Sequence, residues 1–502
     1  MTTVRRFYLL LTCFLMGFAI LGLELLGFRL YGPVYGYSSY VAGTLIGVIL
    51  AALSLGYLIG GRLADRAPRP PVLYRLLVIA GLLLVAFCFV YRALLDWFFF
   101  TFQLEFITGL ILVTVVAFGP IMVLLSMTSP FIIRLVAVQD RVGTAAGTIY
   151  ALSTVGSILG SFITPFVLVP TIGAHMTLVI MTGVVLAVGV VGLVGLRRAW
   201  VIALLPLGLT PLSFSEQREN VVLEIQSPYS DLEVERGRGE NLYVLAVNKW
   251  SWYSRGVAAG SMETGSYFDF FLLGPKLVPV REMAVLGMGA GTSVLQFQHF
   301  YGDRIHIDAV EIDPWVVKIA KDKRYFGVEE GPSVTIHTED ARPYLRTCEK
   351  EYDLVEIDMY QGGPLIPFYV TTVEFFELVS ERMSDNGLAI TNVLALGSDK
   401  LLAACVVKTL QEVFPSVYAL RTGSNYVLFA FKKPTPLALV RRRLEAVRTE
   451  GLAGIAYRAS GITTPEPYPG AHVFRDDDAD IEWITFDMVR RDANKRRLHQ
   501  KR

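Results

Sequence analysis

Six long apolar stretches in the first part of this chain constrain its fold more than any other feature. Each is long enough to cross the ~30 Å of hydrocarbon in a membrane. They lie near residues 7–28, 41–61, 73–95, 106–133, 144–171 and 174–196. A seventh stretch, residues 200–214, contains Pro206 and Pro211 and would reach only ~22 Å as a helix. Residues 1–214 are therefore predicted to form an N-terminal α-helical transmembrane bundle of six to seven spans.

The charges divide the chain into two parts. Residues 1–214 hold 12 Arg, no Lys and 5 acidic residues, a balance of +7, whereas the remainder holds 34 basic and 40 acidic residues, a balance of −6. The first part is expected to be a membrane domain and the second a soluble one. The formal net charge of +1 gives no support for nucleic acid as a partner.

The most informative motif of the soluble part is a glycine-rich turn after a short apolar strand. The turn holds Gly287, Gly289 and Gly291, a helix is predicted to follow, and a second strand then ends in Glu311. Glycines let the backbone turn tightly and approach a ligand closely. An acidic side chain at the next strand end can accept both hydroxyls of a ribose. This order of elements predicts a site for an adenosine-containing cofactor.

The rest of the soluble part predicts three segments. Residues 219–280 alternate turn signals with short β-like runs, which is typical of a small antiparallel β domain. Residues 281–433 alternate strands with helices, which predicts an α/β domain with a doubly wound parallel sheet. Residues 434–502 form a C-terminal extension with a basic amphipathic helix and a basic tail. These basic groups are either simply solvated, with a disordered end, or bind anionic lipid headgroups.

Candidate site residues collect at one edge of the predicted sheet. Ligands of such sheets bind beyond the carboxyl ends of the strands, and the glycine turn, Glu311, Asp340 and Asp358 all fall there. The alternative interpretation of Asp358 is a strand-end cap or a partner for a helix dipole. Four cysteines without pairing or ligand spacing, and six histidines without a cluster, predict neither a disulfide framework nor a metal site.

Four segments resemble the spermidine synthase (polyamine aminopropyltransferase) family in order and spacing. They lie within residues 220–432 and read VLGMGAG, AVEIDPWVVKIAKDKRYFG, TEDARPYL and YDLVEIDMYQGG. The resemblance implies a Rossmann-like fold, similar to S-adenosylmethionine-dependent methyltransferases, after a small β domain. It also implies transfer of an aminopropyl group from decarboxylated S-adenosylmethionine to an amine, with release of methylthioadenosine. The membrane part resembles the multi-pass, membrane-fused variant of the family.

The resemblance also implies roles for individual residues. The nucleoside-binding positions are Gly287, Gly289, Gly291, Glu311, Asp340 and Ala341. Among them, Glu311 matches the ribose carboxylate and Asp340 the contact to the adenine amino group. Asp358 matches the acid that helps to deprotonate the attacking amine. The substrate-side positions are Tyr229, Tyr267, Tyr360 and Gln361, of which the last two are either substrate contacts or loop structure.

Three positions depart from the family pattern. Ala290 stands where the glycine loop usually carries an acid, Gln361 replaces the second acid of the catalytic loop, and Ser230 replaces the glutamine of a Tyr-Gln pair. Each change removes a group that would hold a cationic amine. The loss of two acids is expected to weaken polyamine binding strongly.

Three functions follow as hypotheses. The order of the motifs favours an aminopropyltransferase-like enzyme, of the class that transfers alkyl groups, acting on a small-molecule amine. Ala290 and Gln361 favour a transferase of methyl or aminocarboxypropyl groups from S-adenosylmethionine itself to a membrane-associated acceptor. A transporter or sensor with a ligand-binding domain is the third, and the retention of Glu311 and Asp358 argues against it. None needs a metal, and a homodimer is compatible with each.

Arginine placement predicts how the chain lies in the lipid bilayer. Ten arginines fall on one side of the six predicted spans, and only Arg29 and Arg92 fall on the other. Positive loops remain in the cytoplasm, so a multi-pass cell-membrane protein with a cytoplasmic N-terminus is expected. An adenosylated cofactor is made inside cells, so the soluble part is also expected in the cytoplasm. Residues 200–214 would then lie in the interface or re-enter the membrane.

Overall fold

A computed structural model shows two compact units, Met1–Arg218 and Glu219–Arg502. The structure describes residues 3–36, 38–101, 106–137, 141–194, 220–237, 242–248, 251–255, 262–397 and 399–500. The seventh apolar stretch, residues 200–214, lies outside this part of the chain. Each unit is described by itself.

The first unit is made of helices. They are α1 (Thr3–Tyr35), α2 (Ser39–Arg66), α3 (Pro70–Thr101), α4 (Phe106–Ala117), α5 (Gly119–Ser126), α6 (Thr128–Val136), α7 (Val142–Ile163), a π-helical turn (Thr164–Leu168) and α8 (Val169–Val194). Within the described residues, five helical runs are long and apolar enough to cross a membrane, against six to seven predicted spans. The last run, Val142–Val194, holds two of the predicted spans, and Gly173, with φ 80° and ψ 164°, breaks it between them.

The predicted span at residues 106–133 is divided into three helices. The chain leaves the helical path after Ala117, and Pro120 lies in the first turn of α5. Proline has no N–H to donate and is tolerated in that turn, where the amide would lack an intrahelical partner. A second break at Met127 separates α5 from α6.

Glycines allow close contact between the helices of this unit. A Cβ added at Gly156 would lie 2.1 Å from the Phe14 carbonyl oxygen, and one at Gly160 would lie 2.3 Å from that of Phe18. The side chains at these positions must be absent for α1 and α7 to approach. Gly143 and Gly147 on α7 are also four residues apart but have no such role, because a Cβ at either position would meet nothing within 4 Å.

The second unit begins with a small antiparallel sheet, which confirms that prediction. Its strands are β1 (Val221–Gln226), β2 (Asp231–Arg236), β3 (Tyr243–Val247) and β4 (Ser251–Arg255), paired in sequence order. Leu232, Val234 and Leu245 are buried on one face of it. Two short helices, α9 (Phe268–Phe271) and α10 (Gly274–Leu277), lead to the main sheet.

The main sheet has seven strands, and its parallel part confirms the predicted Rossmann-like fold. Its strands are β5 (Glu282–Leu286), β6 (His306–Val310), β7 (Val334–His337), β8 (Tyr352–Ile357), β9 (Met383–Leu394), β10 (Ser416–Thr422) and β11 (Asn425–Phe431). The order is β10-β11-β9-β8-β5-β6-β7. The strands from β5 to β9 are parallel, and the β10–β11 hairpin adds to β9 in antiparallel fashion.

Helices cover both faces of the main sheet. They are α11 (Thr292–Tyr301), α12 (Pro314–Lys321), α13 (Ala341–Thr347), α14 (Val373–Glu381) and α15 (Leu401–Val413), followed by α16 (Leu437–Glu445), α17 (Ala453–Ala459) and α18 (Ile481–Gln500). The C-terminal extension joins both cores: Leu444 and Ile455 pack on one face, Phe474 and Ile481 on the other. The apolar side of the predicted basic helix is therefore buried, through Val440 and Leu444, while Arg441, Arg442 and Arg443 remain exposed.

Candidate active site

Four parallel strands end at the same edge of the main sheet and place the predicted site residues side by side. The glycine turn follows β5, Glu311 follows β6, and Asp358 follows β8. Asp340 follows β7, three residues beyond its end. Because β5 lies between β8 and β6, the glycine turn lies between Asp358 and Glu311.

The glycine turn is held tightly between its two neighbouring strands. The backbone N–H groups of Gly287 and Met288 donate to the Val310 carbonyl at 2.9 and 3.0 Å. Gly287 has φ 88°, and a Cβ added there would lie 2.5 Å from the Asp358 carbonyl oxygen. Only glycine fits this position, both in its backbone conformation and in its contact with β8.

Glu311 links the glycine turn to the start of α12. Its carboxylate accepts the N–H of Gly289 at 2.9 Å on one oxygen and the N–H of Asp313 at 3.0 Å on the other. Burial raises the pKa of Glu311 to about 7, and these two hydrogen bonds oppose that effect. A carboxylate has about four lone-pair positions, so acceptor capacity remains for two ligand hydroxyls.

Asp340 caps α13 and contacts a residue that sequence reasoning missed. One carboxylate oxygen accepts the Arg342 N–H at 2.9 Å, and the other accepts the Tyr369 hydroxyl at 2.8 Å. Ala341 is the first residue of the helix, where backbone N–H groups lack intrahelical partners. The pair therefore offers an acceptor and a backbone donor side by side, which suits the edge of an adenine ring.

Asp358 follows β8 and is bound by side chains from the segment before α9 and from β9. Its carboxylate accepts the Tyr267 hydroxyl at 2.9 Å and the Asn392 amide at 3.0 Å. Burial raises the pKa of Asp358 to about 7, while both hydrogen bonds act in the opposite direction. Such a carboxyl exchanges a proton readily near neutral pH, as a general base must.

Asn392 is a second residue that sequence reasoning missed. It lies on β9, next to β8, and its side-chain oxygen accepts the Asn425 amide at 2.8 Å. That hydrogen bond orients its N–H₂ group towards Asp358. A local signal existed for its position, because Asn392 directly follows the run Leu-Ala-Ile-Thr within the predicted α/β domain, but not for its contact with Asp358.

Tyr360 and Gln361 shape the loop after β8. The Tyr360 hydroxyl contacts the backbone of β9, donating to the Asn392 carbonyl at 3.2 Å and accepting the Leu394 N–H at 3.0 Å. The Gln361 carbonyl accepts the side-chain amide of Asn248 at 2.9 Å. These contacts favour the interpretation of Tyr360 as loop structure; for Gln361 the contact is made by the backbone.

Asn248 connects the small sheet to this loop. It has φ 56° and follows β3, and its side-chain oxygen accepts the Asp231 N–H at 2.9 Å. Its amide group donates to Gln361, as described above. Asparagine tolerates the left-handed conformation better than most residues, and here it orients the loop that carries Gln361.

Tyr229 and Ala290 lie on the side of the small sheet. Tyr229 is 44% exposed and lies in the turn between β1 and β2. It is near enough to Tyr369 to contribute to the raised pKa of the Tyr369 hydroxyl. Ala290 is fully buried against Leu232 and Val316. An acid at position 290 would place its charge in this apolar cluster, which explains why the side chain is small and apolar.

One group of side chains in the described part of the chain has the geometry of metal ligands, and it lies away from this edge. The ligand atoms of Glu282, His306 and Asp308 are within 4.8 Å of one another. Two of the three residues begin β5 and β6, at the opposite ends of the strands. Asp308 already accepts the Lys350 ammonium at 2.7 Å.

Comparison with known proteins shows which families this domain is similar to. Residues 278–429 match the model of the spermine/spermidine synthase domain. A probable polyamine aminopropyl transferase of Bifidobacterium longum is 28% identical over 271 residues, which cover 52% of this chain and 58% of that protein. The eEF1A lysine and N-terminal methyltransferase of Mus musculus is 28% identical over 164 residues, covering 30% and 23%.

A solved structure, a probable spermidine synthase from Corynebacterium glutamicum, is 19% identical, with a TM-score of 0.38, over 50% of this chain and 98% of that one.

Proposed function

We propose that the chain belongs to the spermidine synthase family through residues 278–429, and that its second unit transfers an aminopropyl group from decarboxylated S-adenosylmethionine to an amine. The observation that carries this proposal is the setting of Asp358: a carboxyl with a pKa of about 7, oriented by Tyr267 and Asn392 beside the glycine turn. The chain spans 58% of the length of the first curated relative.

The donor is proposed to lie across the edges of four strands. Glu311 accepts the ribose hydroxyls, and Asp340 with the Ala341 N–H binds the adenine edge. The sulfonium then lies over the glycine turn, and the aminopropyl arm points towards Asp358. Gly287 permits this path, since its missing side chain leaves the backbone of β8 close to the turn.

The proposed reaction is an in-line displacement at the carbon next to the sulfonium. The amine lone pair forms the new C–N bond while the C–S bond breaks, and the electrons of that bond remain on sulfur in methylthioadenosine. The attacking nitrogen loses one proton to Asp358. The leaving group is already activated by its positive charge, so the protein acts mainly by positioning and by accepting the proton.

A second candidate is a transferase that uses intact S-adenosylmethionine. The apolar burial of Ala290 and the loop role of Gln361 favour it, because neither position supplies an acid for an ammonium group. One relative is named a methyltransferase, although only 30% of this chain is covered.

Calorimetry on the full-length protein separates the two candidates. Methylthioadenosine, decarboxylated S-adenosylmethionine and S-adenosylmethionine would each be titrated, and the products analysed after adding a diamine. The proposal expects tighter binding of the decarboxylated donor than of S-adenosylmethionine, with formation of an aminopropylated amine. Tighter binding of S-adenosylmethionine would favour the second candidate. No binding of methylthioadenosine would exclude aminopropyl transfer, of which it is the product, and no binding of any of the three ligands would exclude both candidates.

The first unit is proposed to span the cell membrane, with the second unit in the cytoplasm. Support comes from five apolar helical runs and from the distribution of arginines around them. The lipid bilayer is then a partner, and the acceptor is either a soluble amine or an amine-bearing molecule at the membrane.

A further inference from the structure

A second buried carboxyl group lies behind Asp358. Glu356 is 2% exposed and lies on β8, two residues before Asp358. Side chains alternate along a strand, and the Asp358 N–H continues the ladder by donating to the Leu286 carbonyl at 3.0 Å. Glu356 and Asp358 therefore face the same side of the sheet, the side covered by α11.

The carboxyl of Glu356 is buried next to a neutral hydrogen-bond partner. Its carboxyl accepts the hydroxyl of Ser293, in the first turn of α11, at 2.5 Å. Among the described residues, no lysine, arginine or histidine forms an ion pair with it. Burial, together with the neighbouring charge of Asp358, raises the pKa of Glu356 to about 8, while the hydrogen bond from Ser293 opposes this effect. A buried carboxyl in this state is stabilised when a cation arrives beside it.

The strand register places Glu356 next to the path of the donor. Glu356 pairs with Val285 on β5, two residues before the glycine turn begins at Gly287. A donor whose adenosine lies over β6 and β7 crosses this turn to reach β8. Its arm then ends beside Asp358, and Glu356 is the next carboxyl inward on the same face.

We propose that Glu356 binds a primary ammonium group of the substrates, in place of the acids missing at Ala290 and Gln361. The inference rests on the proposed function and names the specificity of the same site. Two molecules carry the required group: the donor, in its aminopropyl arm, and a diamine acceptor, at its far end. Methylthioadenosine carries none, so it binds without using Glu356.

Proton release gives this binding a specific readout. An ammonium group favours the charged form of Glu356, so its arrival expels the proton that Glu356 holds at neutral pH. Asp358 also titrates near neutrality, so the measurement is made in Asp358→Asn protein. Calorimetry in two buffers of different ionisation enthalpy counts the released protons for each ligand.

Glu356→Gln tests the proposal in that background. We expect the affinity for either decarboxylated S-adenosylmethionine or 1,4-diaminobutane, the latter added to the methylthioadenosine complex, to fall about tenfold or more. Proton release with that ligand should disappear, and methylthioadenosine should bind as before. The ligand that responds identifies which ammonium Glu356 receives. Glu482→Gln is the matched control, because burial also raises the pKa of Glu482, to about 7, on α18 outside the site.

The outcomes separate the two proposals. If methylthioadenosine fails to bind the unaltered protein, the proposed function itself is wrong. If it binds, but Glu356→Gln changes neither ammonium ligand, Glu356 has no such role. Should Glu356→Gln abolish methylthioadenosine binding through misfolding, the Asp358→Asn protein alone decides: no proton release with either ammonium ligand overturns the inference.

Discussion

At the residue scale, two carboxyl groups with the same pKa are suited to different tasks. Glu311 and Asp358 are both raised to about 7 by burial. Within the described part of the chain, Glu311 accepts backbone N–H groups, which fix its position and leave it an acceptor for hydroxyls. Asp358 accepts two side chains, whose removal by mutation changes its pKa without moving the backbone.

Replacing Glu311 with alanine should weaken methylthioadenosine binding at least tenfold. Hydrogen bonds to a charged group contribute about 1.5–3 kcal/mol each, and the substitution removes those to the ribose. Calorimetry measures the effect. The control is Glu329→Ala, at an exposed position that lies, like Glu311, between β6 and β7; it should bind methylthioadenosine normally. Equal affinity of the two variants would contradict the assignment of Glu311 to the ribose.

Replacing Asp358 with asparagine should lower turnover by ~10²-fold or more with methylthioadenosine affinity kept. The amide keeps the shape of the side chain but accepts no proton. In unaltered protein, turnover should fall as the pH drops through about 7, because protonated Asp358 cannot act as a base. Steady-state rates of both proteins, measured over a range of pH, test both statements. A flat profile below neutrality would show that another group acts as the base.

Replacing Tyr267 with phenylalanine should move the acidic limb of that profile to higher pH. The hydroxyl hydrogen bond favours the charged form of Asp358 and lowers its pKa, so its loss raises the pKa further. Tyr457→Phe, at a position 81% exposed, is the control. A limb that stays in place would show that Tyr267 does not act on the titrating group.

Sequence reasoning located site residues that follow strands and missed those that reach the site across the sheet. Glu311 and Asp358 lie directly after apolar strands, so their edge followed from the alternation of elements. Asn392 and Tyr369 contact carboxylates 34 and 29 residues away in sequence. Those contacts depend on strand order and loop path, which local pattern does not encode.

At the scale of elements, the glycine turn has little room for change. Gly287→Ala would add a Cβ 2.5 Å from the backbone of β8, in a conformation that L-residues rarely adopt. We expect a lower melting temperature and methylthioadenosine binding reduced at least tenfold, since this is a strain of order 1–3 kcal/mol plus a displaced loop. Gly331→Ala, where a Cβ would meet nothing within 4 Å, should match the unaltered protein.

Elements with a regular pattern were predicted, and breaks inside apolar runs were not. The parallel strands stood out because apolar runs alternated with helical ones. The helix breaks at Gly119–Pro120 and Gly173 lie inside apolar sequence, where the apolar composition does not show where one helix ends and the next begins. The β10–β11 hairpin was not predicted, although Gly423 at its turn has φ 57°.

At the scale of the whole molecule, the proposed topology places the second unit in the cytoplasm and the loop before α2 outside the cell. Single cysteines in a background without the four native ones test it with an impermeant maleimide on intact cells. A cysteine at the exposed Lys323 should be protected until lysis, and one at Ser39, at the start of α2, should be labelled. Labelling at position 323 before lysis would place the second unit outside and contradict the cytoplasmic proposal.

The ion pair between Arg342 and Asp476 can form only late in the synthesis of the chain. Arg342 follows Asp340 and Ala341, and the two oxygens of Asp476 bind its guanidinium. The partners are 134 residues apart, which is about 7–27 s of elongation at roughly 5–20 residues per second. The nascent chain therefore contains the glycine turn, Glu311 and Asp358 for many seconds before Asp476, the partner of Arg342, has been synthesised. A chain stalled in that interval would contain most of its nucleoside-binding residues but not the Arg342–Asp476 ion pair. Binding of the donor is therefore expected to arise late in translation.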